Sequence, residues 1–178
     1  MFDDLADAQP VPNAYGGATG VEFGGPAGEF IAANTTQHPD YLPAMVSPDG
    51  IAINKDGLPA ELLSSNGVAF DVVYVYAATL TGQAVTLTIV GSLGGDQKAN
   101  LTVELLPGAK PMLVDLSAFT GLDSIVFTPS DAANSTYGLA TTLFGIDNAA
   151  IVAHPAPPPP QPPPSPPPAP PPRQNSNP

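Results

Sequence analysis

Val85-Thr86-Leu87-Thr88-Ile89-Val90-Gly91-Ser92-Leu93-Gly94-Gly95-Asp96, followed by Asn100-Leu101-Thr102-Val103-Glu104-Leu105, is the stretch that decides the fold. Successive side chains of a strand point to opposite faces. Val85, Leu87 and Ile89 therefore share one side and Thr86 and Thr88 the other, while Leu101, Val103 and Leu105 stand against Asn100, Thr102 and Glu104. Gly94-Gly95-Asp96 supplies the hairpin connection, because glycine adopts the positive φ values that tight two-strand turns require. The result is an antiparallel pair with one apolar face directed to a core.

The same character extends both ways along the chain. Short apolar segments lie at 21–23, 30–33, 51–53, 68–80, 112–116, 124–128 and 141–152. Between them fall turn clusters such as Ser47-Pro48-Asp49-Gly50, Lys55-Asp56-Gly57 and Pro107-Gly108. Short strands at regular spacing, with no sustained helical period, predict an all-β protein: a single antiparallel β-sandwich, jelly-roll-like, over residues 21–153. In segment 68–80, strict alternation puts Phe70, Val72, Tyr74 and Tyr76 on one face and Val73, Val75 and Ala77 on the other. With both faces apolar apart from Asp71, that strand is expected to be buried on two sides or to contribute to an interface.

Two extensions flank the sandwich. Residues 1–20 hold Asp3, Asp4 and Asp7, then Pro10, Pro12 and Gly16-Gly17, and read as an acidic N-terminal extension. Residues 154–178 form a C-terminal tail in which fourteen of the eighteen positions from Pro155 to Pro172 are proline. Each proline fixes φ near −65° and removes a backbone donor, which leaves polyproline II as the available conformation. At about 3.1 Å per residue such a rod reaches roughly 55 Å.

Composition excludes several classes of function. Lysine and arginine total four against sixteen acids, for a net charge of −12 in 178 residues. Nucleic-acid binding relies on neutralising phosphate, so no nucleic-acid partner is expected. Cysteine is absent, so neither disulfides nor thiolate metal sites contribute. No run of eighteen apolar residues exists, so no membrane span is expected. The start, Met1-Phe2-Asp3-Asp4, lacks the basic and apolar regions of a secretory signal, and export would require a leader removed from it.

Catalytic chemistry finds little support. There is no cysteine nucleophile and no G-x-S-x-G elbow, and both histidines, His38 and His154, immediately precede a proline. Most acids stand in turns, where aspartate serves the backbone. Asn54-Lys55-Asp56-Gly57 lacks the alternating ligands of a calcium loop and reads as a turn. Three N-glycosylation sequons begin at Asn34, Asn100 and Asn134, with Asn100 on the polar face of its strand. Tyr74 and Tyr76 are the side chains placed to contact a sugar or a neighbouring subunit.

The order of these pieces resembles exported jelly-roll or galactose-binding-like β-sandwiches, including PEP-CTERM-type bacterial proteins and related extracellular modules. The residues that carry the likeness are Gly67-Val68-Ala69-Phe70-Asp71, Val85 to Gly91, Leu122-Asp123-Ser124-Ile125-Val126-Phe127 and Phe144-Gly145-Ile146-Asp147-Asn148. In related carbohydrate-binding sandwiches an acid on the first strand and an aspartate on the last hold a structural calcium. By strand order the likeness implies that role for Glu22 and Asp147; otherwise Asp147 and Asn148 close the last strand through side-chain to backbone hydrogen bonds. The tail, through Ser165-Pro166-Pro167-Pro168 and its neighbours, resembles the hydroxyproline-rich tails of extensins and green-algal wall glycoproteins. That likeness implies hydroxylated prolines and O-linked glycans, with Ser165 an acceptor, in an extracellular or cell-surface protein.

Two functional readings follow. The first is a non-enzymatic structural glycoprotein, a self-associating subunit of a filament, appendage or cell-wall assembly joined to neighbours through its terminal extensions. The alternative is a carbohydrate-binding module with a proline-rich linker, whose partner is a polysaccharide.

Overall fold

The computed structural model describes residues 6–12, 20–34, 36–47, 50–65, 67–131 and 142–154. The polyproline tail, Asn134 and Ser165 lie outside them. Eleven strands are described: β1 (Val21–Glu22), β2 (Gly24–Gly25), β3 (Gly28–Asn34), β4 (Gly50–Asn54), β5 (Ala60–Ser64), β6 (Phe70–Thr79), β7 (Val85–Leu93), β8 (Asp96–Leu105), β9 (Met112–Leu122), β10 (Ser124–Asp131) and β11 (Phe144–Ala153). They form two antiparallel sheets, β1-β5-β10-β7-β8 and β2-β3-β4-β11-β6-β9. The all-β sandwich expected from the sequence is the fold of the described residues.

Alternation on β7 and β8 holds. Val85, Leu87 and Ile89 are fully buried, and Val85 pairs with Leu105, Leu87 with Val103 and Ile89 with Leu101. Gly94 and Gly95 make the turn with φ of 62° and 84°, values that glycine adopts without a Cβ clash. The two sheets meet around aromatic rings. Phe30 of β3 packs edge-on against Phe127 of β10, 5.7 Å between centroids, and against Phe144 of β11 at 6.1 Å. All three are fully buried, and such offset or edge contacts add to the apolar area that holds the sheets together.

Two expectations need correction, and two strands carry features that the sequence pattern did not show. First, strict alternation fails on β6. Val72 and Tyr74 oppose the consecutive residues Ile151 and Ala150, so Val73 is an extra residue in the ladder. A bulge of this kind shifts the phase of everything after it. Phe70, Val72, Val75 and Ala77 consequently face the core, while Tyr74 and Tyr76 share the outer face.

Second, the sequence reading passed over β5, yet it is an interior strand of the first sheet. Ala60 and Leu62 enter the core, and Glu61 is buried on the other face beneath the β2–β3 turn. There its carboxylate accepts hydrogen bonds from the Ala27 amide at 3.0 Å and the Ser124 hydroxyl at 2.8 Å.

Third, residues 8–11 belong to the body. The Ala8 amide donates to the Ala32 carbonyl, the Ala32 amide to Gln9 and the Val11 amide to Phe30, and Val11 is buried in the main core. This part of the N-terminal segment covers the edge of its own β3.

Fourth, β4 is buried on both faces. Ala52 points into the main core while Ile51 and Ile53 enter a second cluster with Ala33, Ala44 and Ala78. Its lid is the segment 36–47, which contains a 3₁₀ turn at Pro39–Ala44 and contributes Tyr41 and Met45 to the same cluster.

Candidate functional site

The outer face of the second sheet is divided in two. Over β3, β4 and the Ala78 end of β6 it is roofed by segment 36–47; further along β6 and β9, Tyr74 and Leu113 are exposed among the described residues. Asp147 of β11 stands at the border and is fully buried. Its Oδ2 accepts the amides of Val46 and Ser47, each at 2.8 Å, and the Ser47 hydroxyl lies 3.0 Å from Oδ1. Oδ1 also accepts the Asn148 amide at 2.7 Å. The carboxylate thus pins the end of the roofing segment to the sheet, and charge-assisted bonds of this type are stronger than neutral ones.

Beyond that border no described segment roofs Tyr74 and Leu113, which are exposed. Tyr76 pairs across the ladder with Asp147 on one side and Leu113 on the other; Tyr74 pairs with Ala150 and Asp115. Directly opposed residues share a face, so Tyr74, Tyr76, Leu113 and Asp115 form one strip. Leu113 is 53% exposed and Tyr74 is 37% exposed. The two tyrosine rings meet edge to face, centroids 6.0 Å apart and planes at 81°. One ring face and one ring edge thereby form a notch. The Asp115 carboxylate accepts the Ser117 amide at 2.9 Å, and this bond holds its pKa below the usual aspartate range.

One end of the strip is held by the root of the tail. Asp71 Oδ1 accepts the Gly121 amide at 2.7 Å and lies 2.8 Å from His154 Nε2. The Gly121 bond, with the His154 contact behind it, lowers the Asp71 pKa. The His154 amide donates to the Ala69 carbonyl, so three strands are tied together where the described chain ends.

A second His–Asp pair serves the roof. His38 Nε2 lies 3.3 Å from Asp7 Oδ2, and the His38 ring stacks on Tyr41 with centroids 5.1 Å apart. Burial, with Asp7 and Asp40 adding to it, pushes the Tyr41 hydroxyl pKa up. Neither pair is joined to a nucleophile by any contact described here.

The remaining sequence candidates separate. Glu22 lies on β1 of the first sheet and Asp147 on β11 of the second. Among the described residues no three His, Cys, Asp or Glu side chains come together as a metal site. Asp147 makes side-chain to backbone bonds with Val46, Ser47 and Asn148. Asn100 is exposed on β8. Asn34 is half-buried, its side-chain oxygen accepting the Thr36 amide at 2.7 Å. The Asn54 to Gly57 segment is a turn, with Asp56 at a φ of 55°. Asn54 is fully buried and bridges Leu58, Thr142 and Phe144.

The sequence reading named Tyr74 and Tyr76 but missed Leu113 and Asp115. The signal was the period-two pattern of 112–116, which sets Leu113 and Asp115 opposite Val114. Only the β6–β9 register brings them beside the tyrosines.

No protein-family model matches the chain, and no curated protein sequence does. Among solved structures it is similar to a DUF4465 family protein from Bacteroides caccae ATCC 43185, with a TM-score of 0.53 and 14% identity over 75% of this chain and 80% of that one. It is also matched to TmCBM61 in complex with β-1,4-galactotriose, with a TM-score of 0.33 and 17% identity over 75% and 87% of the two chains. A CBM4 structure gives a TM-score of 0.28 and 11% identity over 75% and 89%. The first likeness is one of fold; the other two are too distant in shape to bear on this chain. No helix among the described residues is long and apolar enough to cross a membrane.

Proposed function

We propose that this chain is a non-catalytic, extracellular polysaccharide-binding module whose ligand lies along the open half of the second sheet's outer face. The observation that carries this reading is the edge-to-face pair of exposed Tyr74 and half-buried Tyr76, flanked by Asp115 and Leu113. A sugar presents an apolar C–H face and a rim of hydroxyls. An exposed tyrosine ring meets the first, and a carboxylate and phenolic oxygens meet the second. The face spans β6 and the edge strand β9, and sites built on strands are held more rigidly than sites on loops. In this reading the proline-rich tail is the linker to a further domain or a wall.

Glycan-array screening of the full chain, followed by calorimetry with the best ligand, tests the proposal. Tyr74→Ala and Tyr76→Ala are each expected to weaken binding about tenfold or more, as truncation of buried aromatic anchors does. A featureless array, or affinity unchanged in both variants, would refute it. The structural-subunit reading keeps its own discriminant: assembly that depends on concentration, with no glycan bound. The pairing of residues 8–11 with their own β3 leaves these residues paired within the chain rather than free to join a neighbour's sheet.

A further inference from the structure

The tyrosine strip has a second occupant within this sequence, and we infer that it is the polyproline tail of another copy. The inference shares the strip with the glycan reading but does not depend on it. Aromatic notches are the surfaces on which polyproline II segments dock, because a prolyl ring packs on a tyrosine face and the segment is already extended before binding. Tyr74 and Tyr76 form such a notch, and Leu113 continues it on β9. The tail's cation, Arg173, follows directly on Pro170-Pro171-Pro172. Asp115 lies directly opposite Tyr74. Seating those three prolines on the notch puts a guanidinium beside a carboxylate.

Strand direction argues for another copy as the source. β11 runs antiparallel to β6, from Phe144 opposite Thr79 to Ala153 opposite Phe70. At His154 the chain has already passed Tyr76 and Tyr74 and is leaving the sheet, anchored to Ala69 and Asp71. To reach its own strip it would have to reverse at once. A residue before proline is driven to extended conformations, and His154 precedes Pro155. A polyproline II run from Pro155 at about 3.1 Å per residue would span roughly 55 Å before Arg173. A rod that leads away from its own notch is suited to a neighbour's. Each copy then gives a tail and receives one, a head-to-tail contact that propagates unless its rotation closes a ring.

Sedimentation velocity of the full chain over a wide concentration range, with and without a synthetic peptide of residues 155–178, decides the matter. Oligomers that grow with concentration and revert to monomer on adding peptide are the expected result. Tyr74→Ser with Tyr76→Ser, checked for folding by circular dichroism, should remain monomeric and bind the peptide about tenfold or more weakly. Asp115→Lys and Arg173→Glu should each weaken assembly and together restore it, which keeps the test decisive if the tyrosine variant fails to fold. A chain that stays monomeric and ignores the peptide overturns the inference. So does assembly that survives the loss of both tyrosines. Glycan binding without peptide binding would also overturn it while leaving the glycan reading intact. A monomer whose tyrosine resonances shift when Pro170 to Pro172 are replaced would place the tail on its own body, and the assignment to another copy would fall.

Discussion

Gly28 shows how a single position can dictate the path of the chain. Its φ is +145°, and a Cβ added there would overlap the carbonyl oxygen of Pro59. Both the torsion and the close backbone approach require glycine. Gly28→Ala is expected to destabilise the fold by about 2 kcal/mol or more, since neither backbone can yield cheaply; urea denaturation of the two proteins would measure it. Asp71 makes a pH-dependent contribution. Its carboxyl is held below the ordinary range by the Gly121 amide first and by His154 second. A depressed carboxylate stabilises the fold fully above its unfolded pKa, and that stability is lost as pH falls through the folded value. Melting temperatures measured from pH 6 downward should therefore show a loss beginning below about pH 4 that is smaller in Asp71→Asn.

At the scale of elements, the roofing segment 36–47 depends on one carboxylate about a hundred residues further along the chain. The segment contributes Tyr41, Ala44 and Met45 to the second cluster, which also contains Ile51 and Ile53 of β4. Asp147→Ala removes the acceptor for the Val46 and Ser47 amides and leaves those donors unsatisfied. A cost of about 2–4 kcal/mol is expected, because losing one partner strands the other with its desolvation uncompensated. Amide hydrogen exchange should show the roof opening at Val46 and Ser47 well before β7 and β8 do. Sequence patterns could not show this bond. From the sequence Asp147 is expected to close its own strand or, by resemblance, to hold a calcium, whereas its partners Val46 and Ser47 are remote in the chain. β5 was hidden for a different reason: Ala60, Glu61, Leu62 and Leu63 are good helix formers, and five residues are too few for a period-two pattern to assert itself.

For the molecule as a whole, architecture was legible where one face of a strand is wet and the other dry. β7 and β8 satisfy that condition, and their facing could be read from Thr86, Thr88, Thr102 and Glu104 alone. On β6 nearly every residue is apolar, so a bulge at Val73 altered the facing of Tyr74 and Tyr76 without any trace in the pattern. The candidate site was therefore half visible: the tyrosines could be singled out by type, but their shared outer face with Asp115 and Leu113 depends on a register set by tertiary packing.

The docking of residues 8–11 has a practical corollary for anyone handling this protein. Cleavage just after Val11, or expression begun at Pro12, would uncover the backbone of β3 beside Phe30 and unplug one corner of the hydrophobic interior. Preparations trimmed there would be prone to stick to one another in storage, for a reason unrelated to whatever ligand the intact molecule recognises.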